Sequence, residues 1–139
     1  MATYNKHQQF VEDMAEKVHN LGADALTLAL TTNANAPVAT NSILANLTQI
    51  SYTNLSSRVL TISSSAQASG TYKLVLADLV LTASGAVATF RHVEMYNDTP
   101  TSPADPLISW WDYGSDVTLA NLETFTFDAD ATNGVIQLA

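Results

Sequence analysis

Few residues in this chain are suited by type to chemistry. Residues 108–114 read Ile-Ser-Trp-Trp-Asp-Tyr-Gly, so Trp110, Trp111 and Tyr113 form its one concentrated aromatic surface. In a strand, Trp110 and Trp111 point to opposite faces. One packs the core; the other, with Tyr113, can anchor a protein partner or stack on a sugar ring. Coverage of both rings by the protein's own loops is the competing reading. His92 and Glu94 share a strand face and could pair, or bind a metal with Asp112; a satisfied surface histidine explains the same residues. Residues 128–134 (Asp-Ala-Asp-Ala-Thr-Asn-Gly) place oxygens at alternating positions before a glycine, as a calcium loop does. The glycine falls one place late and no glutamate closes the loop. A tight hairpin turn at Asn133-Gly134 is therefore expected in preference to an ion at Asp128 and Asp130.

Hydrolytic machinery has no positive signal. No G-x-S-x-G occurs, and spacing supports no Ser-His-Asp set. Five glycines spread singly make no phosphate cradle, and the lack of cysteine excludes a thiolate nucleophile, a disulfide framework and a sulfur-based zinc site. The expectation is a protein that is not an enzyme, with no catalytic, cofactor or metal residues.

The elements that must hold these residues are mostly strands. Residues 6–21 read as an amphipathic helix, with Phe10, Val11, Met14, Val18 and Leu21 on one stripe, Asn5 as N-cap and Gly22 as the stop. Residues 25–32 alternate as a half-buried strand, and residues 33–41 form a loop. Residues 42–46 suggest one helical turn. Short strands are expected over 50–55 and 58–63, and a small-residue loop over 64–70. Two long strands, 72–83 and 86–96, meet at Ser84-Gly85. A loop punctuated by Pro100, Pro103 and Pro106 spans 97–106, followed by strands over 107–113, 117–119, 123–128 and 135–138. About eight strands at short spacing predict a mainly β fold, an antiparallel β-sandwich of jelly-roll-like kind with one N-terminal α-helix. An immunoglobulin-like sandwich is the alternative. With 139 residues this is one domain, 1–139, divided into a helical arm (1–22) and a β-sandwich (23–139).

Charged residues make up only 13% of the chain, and the polar surface is left to Ser, Thr, Ala and Asn, a pattern suited to assembly proteins and to secreted β proteins. Net charge is −8, and the five basic residues (Lys6, Lys17, Arg58, Lys73 and Arg91) form no stripe. Nucleic acid and anionic membranes are therefore poor partners. The first residues lack the apolar core of a signal peptide, and the longest apolar run, 74–81, is broken by Asp78. The expectation is a soluble protein made in the cytosol.

Read together, the segments acquire a familiar order. A helix ends in His19-Asn-Leu-Gly-Ala-Asp24 and enters Ala25-Leu-Thr-Leu-Ala-Leu-Thr-Thr. An Ala/Pro/Asn loop and a turn near residues 43–47 follow. Then come Phe90-Arg-His-Val-Glu-Met-Tyr-Asn-Asp-Thr99, Asp105-Pro-Leu-Ile-Ser-Trp-Trp-Asp-Tyr-Gly114, Thr118-Leu-Ala-Asn-Leu-Glu-Thr-Phe-Thr-Phe and Gly134-Val-Ile-Gln-Leu. This order resembles the small structural proteins of tailed bacteriophages, in particular capsid cement or decoration proteins with a jelly-roll fold, over nearly the whole chain. The departure is Asn121 or Leu122, where the pattern would carry glycine. The resemblance implies a virion protein made in the host cytoplasm and placed on the capsid exterior. There it binds the major capsid protein as a homo-oligomer, a dimer or trimer. It implies no catalytic residues. Candidate interface residues are Phe10, Met14, Trp110, Trp111, Tyr113, Pro100 and Pro103. A carbohydrate- or receptor-binding module, or a tail or neck adaptor, remains the alternative.

Overall fold

The second half of the chain is one antiparallel ribbon rolled on itself. The computed structural model describes residues 2–139. Outgoing strands β4 (Thr71–Leu76), β5 (Leu79–Thr82) and β6 (Phe90–Asn97) are answered in reverse by β7 (Leu107–Val117), β8 (Thr124–Phe127) and β9 (Ile136–Leu138). The pairings nest: Tyr72 opposite Leu138, Leu79 opposite Phe127, Phe90 opposite Val117 and Tyr96 opposite Leu107. Hydrogen bonds bridge the gaps between paired segments, from Val135 N to Leu74 O, from Ala83 N to Glu123 O and from Val87 N to Leu119 O. Nested pairing distributed over separate sheets is what rolling a long hairpin into a jelly-roll-like sandwich produces.

The first half supplies β1 (Thr3–Lys6), the helix α1 (Gln9–Ala15), β2 (Leu26–Thr31) and β3 (Ile62–Ala68). The main sheet has strand order β1-β7-β6-β2; the others are β3-β4-β9 and β5-β8. All strand pairs are antiparallel. The core between the sheets is built from Leu26, Leu28 and Leu30 of β2, Val93 and Met95 of β6, Leu74, Leu76 and Leu81 of the facing strands, and Phe10 of α1. The protein is thus a mainly β antiparallel sandwich with one helix, as its sequence predicts.

Several local expectations are corrected. The arm 1–22 is not one helix. Thr3–Lys6 is an edge strand beside β7, with Asn5 opposite Trp110 and therefore no N-cap. The helix ends at Ala15 because Lys17 takes φ +70°, letting Val18 N reach Asp13 O at 2.9 Å in place of the stop expected at Gly22. Val11, on the expected apolar stripe, is exposed. Strand β2 is buried on both faces, because residues 33–60 fold over its outer side and pack Leu44 and Leu47 against Ala29, Tyr96 and Leu107.

The expected strands over 50–55 and 58–63 are instead an irregular cover for the β2 edge. Ile50 N bonds Leu30 O, Leu28 N bonds Arg58 O, Leu60 N bonds Leu26 O, and Leu30 N reaches the Tyr52 hydroxyl at 3.0 Å. The 64–70 loop is mostly strand β3, joined to β4 by Ser69-Gly70 with φ of +51° and +82°, the two-residue turn that suits a twisted hairpin.

The long strand 72–83 is two strands. At the break, the Asp78 carboxylate accepts Ala129 N at 2.9 Å and stands in for a ladder bond while the chain changes sheet. Ser84-Gly85 is a bend held by Asn54, whose carbonyl accepts Ser84 N and whose amide donates to Ala86 O; β5 and β6 do not pair. Asn133-Gly134 does turn, with Gly134 at φ +79°, but its flanking strands β8 and β9 pair elsewhere. Where the resemblance would carry glycine, Leu122 takes φ +69°. No helix among the described residues is long and apolar enough to cross a membrane.

Candidate functional site

Strands β1 and β9 are each the outermost strand of their sheet, and the space beside them is lined by apolar side chains. β1 presents Tyr4 opposite Trp111 of β7. A line of edge-to-face aromatic contacts follows, with Tyr4–Trp111 at 5.5 Å and Trp111–Phe127 at 5.0 Å between ring centroids. Nearby, Tyr113–Phe125 lie at 5.4 Å and Phe125–Phe90 at 5.2 Å. Such offset aromatic pairs stiffen a surface and add to simple burial. Trp111, Tyr113, Phe125 and Asp128 border a hollow of about 200 Å³. Further along, α1 and β1 face residues 134–138 across a groove of about 750 Å³, and Met14 and Leu138 also border a second hollow of about 550 Å³ that reaches Lys17 and Tyr72.

The sequence-predicted interface residues divide here. Tyr113 is 47% exposed and Trp111 half-buried, so both border open space. Trp110 is buried, stacked on His7 with ring centroids 4.5 Å apart, and Phe10 is buried against His19; neither ring is free for a partner. Met14 is half-buried on the groove wall. Pro100 and Pro103 are half-buried in a loop folded on itself, where Asp105 N donates to Pro100 O and Asp105 O accepts Leu44 N. That loop lies at the tip of the ribbon, and neither proline lines the groove or the two hollows.

His92, Glu94 and Asp112 do not assemble as a metal site. Asp112 is taken by Arg91, with bonds of 2.8 and 3.2 Å, and by Gly114 N. The Arg91 guanidinium holds the Asp112 carboxyl down at about 2. Glu94 is fully buried and receives the Thr31 hydroxyl at 3.0 Å; burial pushes its carboxyl up to about 8, so it is protonated near neutral pH. His92 is buried, contrary to the surface histidine expected, and burial lowers its pKa. Asp130 is occupied by the turn, accepting Thr132 N, Asn133 N and the Asn133 side-chain amide at 2.7–2.8 Å, so its carboxylate has a structural use.

A second polar cluster escaped the sequence reading. Asn97 Nδ2 donates to His19 Nδ1 at 3.1 Å and to Asp24 Oδ2 at 2.6 Å. His19 Nε2 lies 4.0 Å from buried Asp13 Oδ2. Burial lowers the His19 pKa, with Asp13 and Asp24 opposing. The cluster pins the segment after α1 to the end of β6. Its only sequence signal is a charged residue, Asp13, placed where a helix of that length would have exposed it.

The arrangement as a whole is suited to adhesion: a rigid aromatic border, a long apolar groove and sheet edges beside it. No protein-family model, curated protein or solved structure matches this chain.

Proposed function

We propose that this chain is a virion structural protein, a cement protein that binds the outer surface of a tailed-phage capsid and ties neighbouring major capsid subunits together. The observation that carries the adhesive reading is the exposed Tyr113 ring, held by Phe125 beside half-buried Trp111 on a stiff sandwich. A rigid aromatic anchor loses little conformational freedom on docking and is the kind of residue that dominates interfaces. The segment order of the chain and the nested, jelly-roll-like pairing support the virion assignment. A net charge of −8 favours a position away from packaged DNA.

The test is addition of purified protein to particles stripped of it, read by electron microscopy and co-sedimentation. Wild type should fill regular sites on the shell; Tyr113→Ala should lower occupancy about ten-fold while costing only about 1 kcal/mol of stability, too little to unfold the domain. Equal occupancy for the variant would reject the anchor, and no regular density for wild type would reject the cement role. Trp110 is unsuitable as a probe, since truncating its buried ring would cost about 3–5 kcal/mol of stability. The hollow between Tyr113 and Asp128 also favours a second reading, sugar stacking, which a glycan array would reveal as a defined ligand.

A further inference from the structure

We propose that the groove between α1 and β9 accepts an extended segment of another protein, which adds as a strand to the free edge of β9 and carries a carboxylate at the end beside Leu138. Three observations converge on this occupant. First, the chain treats its sheet edges unequally. The β2 edge is covered by residues 49–60, which satisfy its backbone groups one after another. β9 pairs with β4 on one side only, and among the described residues no strand pairs with its other edge. Ile136-Gln137-Leu138 has no charge and no proline, the usual means of blunting such an edge. Second, residues 134–138 line the groove as one continuous backbone stretch. The far wall is Val11 and Met14 of α1 with Tyr4 of β1, backed from beneath by buried Phe10. Tyr4, Val11 and Leu138 are 46%, 54% and 41% exposed. An added strand would hydrogen-bond along β9 and turn alternate side chains toward this apolar wall.

Third, the charge is specific. The chain has 13 acidic and five basic residues, yet no Asp or Glu lines the groove or the hollow that continues it. Lys6 lines the first and Lys17 the second. A further hollow at the Gly134 end of the groove is lined by Asp128 and Asp130, so the surface selects an apolar strand with an acidic residue at its Leu138 end, where Lys17 stands, and repels one that is basic there. It also disfavours a second copy of this chain, whose free edges at β3 and β9 hold no acidic residue. This inference stands apart from the capsid reading, which rests on Tyr113.

The probe is a nine-residue peptide alternating Val and Thr with a single Glu at one end, made with that Glu first or last, titrated into the full chain and followed by amide chemical shifts and calorimetry. Binding should shift and protect the amides of residues 134–138. Lysine in place of that Glu should weaken it by about ten-fold, and the double variant Lys6→Glu with Lys17→Gln should reverse that preference. Both lysines are exposed, so the variant keeps the fold. N-methylation of alternate peptide amides should abolish binding. Three results would overturn the proposal: no shifts at millimolar peptide, equal binding of the N-methylated peptide (an apolar slot without strand pairing), or a concentration-dependent dimer that occupies the β9 edge. Loss of shell binding by Tyr113→Ala would leave this result untouched.

Discussion

Glu94 and His7 give the protein an unusual dependence on acidity. Glu94 titrates at about 8 when folded against 4.5 in the open chain. Between those values the folded state holds the extra proton, so this group's contribution to stability falls as pH rises. His7, desolvated against Trp110, titrates at about 4 when folded against 6.5 when free. There the unfolded state holds the extra proton, and stability rises with pH. The two oppose one another below pH 6.5, leaving Glu94 alone above it. Stability should therefore fall by about 1.4 kcal/mol per pH unit, roughly 2 kcal/mol in all, between about pH 6.5 and 8. Urea midpoints at the two ends of that range should show this for wild type and a flat response for Glu94→Gln. A wild type equally stable at both would mean that the carboxyl is not held in its buried, protonated form. None of this was legible in the sequence. His92 and Glu94 read as one exposed face because nothing in the pattern says that residues 33–60 fold back over it. Tyr113 was legible as a candidate anchor because its position near the end of an aromatic run follows from strand alternation alone.

Positive φ marks where elements turn, and the residues there differ in how well they fit. Leu122 is 78% exposed at φ +69°, a conformation costing a non-glycine residue roughly 1–2 kcal/mol. Leu122→Gly should raise stability by about 1 kcal/mol once the extra freedom of the unfolded glycine is offset, measurable as a higher urea midpoint. Gly134 is the converse. A Cβ there would sit 2.6 Å from the Leu74 carbonyl oxygen, besides the cost of φ +79°. Gly134→Ala should lose on the order of 3 kcal/mol and shift the melting temperature down by several degrees. The turn at Gly134 could be read from the sequence, but its partner strands could not. A turn dipeptide reports local backbone geometry, whereas β9 finds β4 through contacts more than sixty residues away. Helix α1 was over-extended for a related reason. Val18 and Leu21 keep helical spacing with Met14, but Lys17 in the left-handed region breaks the path from Met14 to them.

At the scale of the molecule, the sandwich class followed from short apolar segments separated by turn residues, whereas several strand positions and the pairing order did not. In the sequence, strand β1 falls within the arm 1–22, as the approach to a helix starting at residue 6, because four residues, Thr-Tyr-Asn-Lys, carry too little pattern to declare a strand. Its role is nonetheless integral: it covers the β7 edge and sets Tyr4 against Trp111. Removing residues 2–6 should cost on the order of 3 kcal/mol and lower the denaturation midpoint followed by circular dichroism. An unchanged midpoint would make that segment a detachable arm. The rolled ribbon has a kinetic consequence. Tyr96 and Leu107 are near in sequence, whereas Tyr72 and Leu138 are far apart, so closing the first rung shortens the search for each later one. Folding should therefore run like a zipper from the tip at residues 98–106, so that stopped-flow measurements find destabilising variants in β6 and β7 slowing folding and those in β4 and β9 speeding unfolding.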